Sequence, residues 1–188
     1  GVSQAKAYSE EVYVDLSAPI AGVVLDGGTC TDEDTDCVSD GELDPRWVQP
    51  APRAAAWWHS FYDPQSGVAY YRMCVGSASL SCDLVNMTDV PIGNDRDFPR
   101  SNYSLALPYT PAHNDTICVS VEAVNNVGLW SKRVGSDCVL IDSTPPTIDF
   151  IGVGVSVGLH QAETTSISVL SGNMLATDDL SEVDGIEW

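Results

Sequence analysis

The stretch Val139 to Asp149, VLIDSTPPTID, has a paler copy at Val12 to Gly22, VYVDLSAPIAG. Superposed without a gap, the two set Asp15 on Asp142 and Pro19 on Pro146, an offset of 127. The same offset sets Gly1 on Gly128, Ser9 on Ser136, Glu10 on Asp137 and Val12 on Val139. Each copy spells an apolar strand, an aspartate, a Ser-x-Pro turn and a fresh strand. A period far longer than a hairpin, broken by proline, marks tandem domains. On this period residues 1–15 are the last strand of one unit, 16–142 a complete second unit, and 143–188 the opening of a third. The expectation is a piece of a longer repetitive protein.

Local patterns give the class of unit. Ile117, Val119, Val121 and Ala123 alternate with Cys118, Ser120 and Glu122, which predicts a strand with one face on a core. Asn125 to Gly128 (NNVG) tolerates positive φ and predicts a tight turn, with Ser136 to Ile141 as the return strand. Val68 to Val75 sets Tyr71, Met73 and Val75 against Arg72 and Cys74, after a DPQSG turn at Asp63 to Gly67. Ala54 to Trp58 reads as another strand, with Trp58 as its large core residue. No stretch keeps a 3.6-residue period. Short strands with turns between them predict an all-β chain of tandem antiparallel β-sandwiches joined by short Pro-rich linkers.

Eight Lys and Arg stand against 27 Asp and Glu, a net charge of −19, which repels phosphate backbones and anionic headgroups. Nucleic acid is excluded as a partner on that ground. No apolar run reaches the roughly 18 residues of a membrane span, so no membrane insertion is expected in this segment. A hydrophobic content of 44% with five Trp separates the chain from disordered acidic tails. Six cysteines without a Cys-x-x-Cys pair, and sequons at Asn86, Asn102 and Asn114, indicate a secreted or cell-surface chain carrying N-linked glycans.

Trp58 to Gly76, WHSFYDPQSGVAYYRMCVG, resembles the B strand, turn and C strand of fibronectin type III-like repeats of very large extracellular proteins. Thr116 to Ser131, TICVSVEAVNNVGLWS, is similar to the F strand and F–G turn of that family, and Asp-Ser-Thr-Pro-Pro resembles its inter-repeat joints. Ile117 stands where the family usually has a corner tyrosine, and Gly27 to Pro52 and Val85 to Tyr109 are extra. In the third unit DDLSEVDGIEW (Asp178 to Trp188) overlays DPQSGVAYYRM, setting Ser181 on Ser66. The resemblance extends to surface proteins and mastigoneme-like filaments. It implies a structural repeat of a large secreted glycoprotein that forms a filament or coat by self-association or with other extracellular glycoproteins. The alternative it leaves open is an adhesin or receptor ectodomain module, and a spacer of a secreted glycan-active enzyme stands third.

The strand reading pairs the cysteines locally. Cys118 and Cys138 flank the Gly128 turn, Cys74 and Cys82 flank GSAS, and Cys30 and Cys37 bracket TDEDTD. Such short loops are worth about 2–3 kcal/mol each in the chain-entropy model, staples on a fold that already has a core.

Acidic residues crowd Asp32 to Asp44. Asp32, Asp34 and Asp36 within the Cys30–Cys37 loop are the sequence's candidate Ca²⁺ ligands, the ordinary alternative being a solvated loop. No cofactor is required by any motif. Catalytic patterns find little support: His59, His113 and His160 stand alone, there is no HExxH, and GVGVSVG (Gly152 to Gly158), although it spells Gly-x-Ser-x-Gly, reads as a Val/Gly strand edge, so no enzyme is expected. Trp47, Trp57 and Trp130 are candidates for carbohydrate contact or for interfaces. Ser143, Thr144, Pro145 and Pro146 make a short stiff hinge and are candidate O-glycosylation or hydroxyproline sites.

Overall fold

A computed structural model of the chain describes residues 12–30, 44–90, 101–154, 156, 158–159 and 171–185, without the side chains of 28–30 and 101. All regular structure in these residues is β.

Three strands form one sheet: β1 (Val23–Cys30), β3 (Arg53–His59) and β6 (Ser101–Ala106), in the order β1-β3-β6 with antiparallel pairing throughout. A second sheet runs β2-β9-β7-β4-β5, from β2 (Trp47–Val48), β9 (Val139–Ile141), β7 (Thr116–Asn125), β4 (Val68–Gly76) and β5 (Val85–Val90). The short β8 (Val134–Gly135) pairs with β7. One core cluster draws on both sheets, with Val24, Ala54, Ala56 and Trp58 from the first and Tyr71, Met73, Val75, Val119 and Val121 from the second. This arrangement is consistent with a β-sandwich. A separate hairpin pairs β10 (Thr147–Val153) with β11 (Gly172–Thr177).

The alternating residues of β4 and β7 take the inward positions expected of them: Tyr71, Met73, Val75, Ile117, Val119, Val121 and Ala123 are all buried. The small Ala54 and Ala56 on the same face leave room for Trp58, whose ring meets Tyr71 edge-on at 5.3 Å, while Phe61 meets the same Tyr71 at 5.8 Å. The turn after β7 closes as the NNVG sequence requires. Gly128 takes φ 85°, and Asn125 Oδ1 accepts from the Val127 and Leu129 amides.

Three expectations change. The first concerns β7, which is covered on both faces: Cys118, Ser120 and Glu122 are buried as well. Its outer face lies under the Cys74–Cys82 and Cys118–Cys138 disulfides and under Arg133, whose Nε donates to Glu122 Oε1 at 2.9 Å. Arg72 adds a second cation 3.7 Å from Glu122 and stacks over Trp130 at 4.5 Å. A buried carboxylate persists where cations accompany it. Gly76 allows this cover, because a Cβ there would collide with the Ser81 backbone.

Second, the return strand is split into β8 and β9. Ser136 pairs with Val119 through both its amide and its hydroxyl, and Cys138 takes φ 77°, which breaks the ladder between them. Third, Val85 to Tyr109, expected as extra, supplies β5 and β6, edge strands of the two sheets. The Cys30–Cys37 pair and the candidate ligands Asp32, Asp34 and Asp36 lie outside the described residues, as does His160.

Candidate functional site: two aspartate-centred junctions

The two copies of the opening motif adopt one hydrogen-bonding pattern. In the first, Asp15 Oδ1 accepts from the Ser17 amide at 2.9 Å and lies 3.1 Å from the Ser17 hydroxyl. In the second, Asp142 Oδ1 accepts from the Thr144 amide at 3.0 Å and lies 2.9 Å from the Thr144 hydroxyl. An aspartate with a hydroxyl residue two places on forms such a turn from local chemistry alone.

The groups docked against each turn also match. Ser66 donates its hydroxyl to Asp15 Oδ2 at 2.5 Å, while the Ser181 hydroxyl donates to Asp178 Oδ1 at 3.1 Å and lies beside Asp142, whose charge it favours. Both serines sit in a further aspartate turn. Asp63 Oδ1 accepts from the Gln65 and Ser66 amides at 3.0 and 2.8 Å, and Asp178 Oδ1 from the Leu180 and Ser181 amides at 3.1 and 2.8 Å. The strand entering each junction pairs alike, Ile20 opposite Tyr62 and Thr147 opposite Thr177. Asp63 and Asp178 therefore have their near oxygens filled by turn amides.

These bonds set the charge. The Ser181 hydroxyl and the Thr144 amide hold Asp142 well below the usual carboxylate range. For Asp63, burial works against ionisation, and the amides of Ser66, Gln65 and Gly67 with the Asn125 side chain outweigh it, so its pKa is also lowered. Asn125 Nδ2 donates to Asp15 Oδ2 at 3.0 Å, to the Ser17 carbonyl at 3.1 Å and to Asp63 Oδ2 at 3.2 Å, tying β7 into the first junction.

At the second junction His113, isolated in the sequence, lies between Asp142 and Asp179. The Ser143 amide and Asp142 Oδ1 both lie 3.3 Å from its Nδ1, and Asp179 Oδ2 lies 3.4 Å from its Nε2. The Thr144 hydroxyl sits 2.6 Å from Asp179 Oδ1, so this candidate glycosylation site is a hydrogen-bonded member of the junction. His113, Asp142 and Asp179 offer ligand atoms within 4.8 Å of one another, but Asp142 Oδ1 already receives the Thr144 amide and faces the Thr144 hydroxyl. The cluster works as a clamp between the turn after β9 and the turn after β11.

Asp142→Ala is expected to open that clamp, speeding amide exchange at Thr144, whose N–H it accepts, by about tenfold, the scale of one net hydrogen bond. Unchanged protection of the Thr144 amide in a hydrogen-exchange measurement would contradict it. Because Asp142 is lowered, its contribution is complete above the unfolded carboxylate value of 3.8 and is lost as pH falls through the folded value.

The remaining candidates are distributed over the surface. Asn86, Asn102 and Asn114 are exposed. Trp130 is exposed, while Trp47 and Trp57 are half-buried, with Arg46 stacked over Trp47 at 4.8 Å. His59 Nδ1 contacts the neighbouring Ser60 hydroxyl at 2.8 Å. No helix among the described residues is long and apolar enough to cross a membrane. The Cys74–Cys82 and Cys118–Cys138 disulfides are consistent with an extracellular location. Sequence reasoning passed over Asp26 and Asp137, which the fold brings to Asp44.

No protein-family model matches the chain, no curated protein matches it, and no solved structure matches it.

Proposed function

We propose that this chain is a stretch of a secreted, N-glycosylated, disulfide-stapled protein whose tandem β-sandwich units form a structural repeat of an extracellular filament or cell-surface coat. The observation that carries this reading is the duplication of the junction. Asp15, Ser17, Asp63 and Ser66 recur as Asp142, Thr144, Asp178 and Ser181, with the same turn amides on each aspartate and the serine set beside the first of them. A hinge closed by several directional bonds fixes the angle between the unit before it and the unit after it, whereas a Gly/Ser linker leaves that angle free. Repetition of one fixed angle produces a rod.

The strand order β1-β3-β6 facing β5-β4-β7-β9 supports the fibronectin type III-like resemblance. Exposed sequons at strand edges and in loops suit glycans that keep neighbouring copies apart. Self-association and contacts with other extracellular glycoproteins are the partners this function needs. Exposed Trp130, held by Arg72, favours the second reading, an adhesin or receptor module that binds through that face.

Electron microscopy of the native material separates the two. A regular polymer with this β-structure at each repeat is the expected result. Isolated molecules with freely varying bends between units would overturn the filament reading and leave the adhesin.

A further inference from the structure

Asp26 occupies a position where the sheet pattern calls for an apolar side chain. It follows Val24 by two on β1, so both point between the sheets, and both are buried, Asp26 to 2% exposure. The Ser136 hydroxyl and the Cys138 amide lie near the carboxyl and favour its charged form. Its Oδ2 has no hydrogen-bond partner and is shut off from solvent. A carboxylate oxygen in that state is costly, and native proteins seldom keep one without a compensating charge.

Among the described residues no cation supplies that charge. Arg53, on the neighbouring strand β3, directs its guanidinium to the Ser104 hydroxyl and carbonyl. Two further carboxylates face Asp26 instead, Asp137 from the break between β8 and β9 and Asp44 from the approach to β2. Asp44 Oδ1 accepts from the Asp26 amide at 3.0 Å, which holds the pair together despite like charge. Ligand oxygens of all three lie within 4.8 Å of one another, the span that oxygens have around one ion bound at about 2.4 Å.

We propose that Asp26, Asp44 and Asp137 form a binding site for a hard divalent cation, Ca²⁺. Carboxylate oxygens select Ca²⁺ or Mg²⁺ over softer metals, and three carboxylates without an octahedral cage suit the larger, more tolerant ion. The remaining coordination positions are left to water and carbonyls. Bound there, the ion joins β1, the start of β2 and the β8–β9 break beside the Cys118–Cys138 disulfide, closing the open edge of the smaller sheet. This site uses none of Asp32, Asp34 and Asp36 and does not depend on whether the chain polymerises.

Titration calorimetry with CaCl₂ above pH 7, together with thermal melting in and out of millimolar Ca²⁺, tests it on the whole chain. Ca²⁺ is expected to bind and to raise the melting temperature. Asp26→Asn is expected to weaken binding by more than about tenfold, because charge count sets affinity in such sites, and to abolish the rise. Asp137→Asn, at an exposed position, provides the same test should the buried substitution disturb folding. The triple variant Asp32→Asn, Asp34→Asn, Asp36→Asn is expected to keep the rise. No response in the unsubstituted chain, or an undiminished response in both Asp26→Asn and Asp137→Asn, overturns the proposal.

Discussion

Trp58→Ala is expected to lower the unfolding free energy by about 3–5 kcal/mol, the range for deleting a large aromatic side chain from a closed core. Trp58 is 1% exposed and stands on β3, while the Tyr71 ring it meets edge-on stands on β4 in the opposite sheet. Phe61 completes the group on the other side of Tyr71. Losing the indole removes the transfer energy of one of the largest buried side chains and the edge-to-face contact. It also leaves a cavity that the neighbouring Ala54 and Ala56 are too small to fill. Trp58→Phe is expected to cost much less, because it retains an aromatic edge and removes the indole N–H, which is buried without a partner. Denaturant unfolding of the two variants checks both statements. A loss of about 1 kcal/mol for alanine, the centre of ordinary substitutions, would contradict the placement of Trp58 between the sheets.

That core was legible because it obeys a period of two. Tyr71, Met73 and Val75, and then Ile117 to Ala123 by alternate residues, carry their inward direction in the one-dimensional pattern. The outer face of β7 was not legible. Ser120 and Glu122 look like solvent-facing residues, and only the fold shows that Arg133 and the loop after Gly76 close over them. The cover comes from segments distant in sequence, and alternation has no access to that.

The junctions were legible in part. Asp15 on Asp142 and Ser66 on Ser181 come from gapless overlay, and the hydrogen bonds show why these residues recur. His113 gave no such signal, since its partners Asp142 and Asp179 are brought to it by β9 and by the turn after β11. Asp26 was hidden because it borders Gly27 to Pro52, which the resemblance sets aside as extra, whereas the chain continues as β1 through a bulge between Asp26 and Thr29. An aspartate at an inward strand position is the signal that would have found it.

In the absence of divalent cations, stability is expected to fall as pH rises from about 4 to above 7, by about 4 kcal/mol for Asp26 alone. Burial is the main cause: it pushes the Asp26 carboxyl from 3.8 up to about 7, with Asp137 and Asp44 adding repulsion and the Ser136 hydroxyl and Cys138 amide opposing. At roughly 1.4 kcal/mol per pH unit, that displacement gives the stated loss. Between the two values the folded chain holds a proton that the unfolded chain has released, so each increase in pH favours unfolding. The contribution is fully present below 3.8 and is gone once pH passes the folded value. The lowered carboxylates Asp63, Asp83 and Asp142 act with the opposite sign, and they do so at more acidic pH. General repulsion from the net charge of −19 also grows with pH, but Asp26→Asn shares nearly all of it. The difference between the two profiles therefore isolates the single carboxyl. Asp26→Asn is expected to match the unsubstituted chain near pH 4 and to exceed it above pH 7 in metal-free buffer, while gaining nothing from Ca²⁺. Parallel profiles would show that Asp26 ionises at an ordinary pH, in contact with water, and would remove the energetic need for an ion beside it.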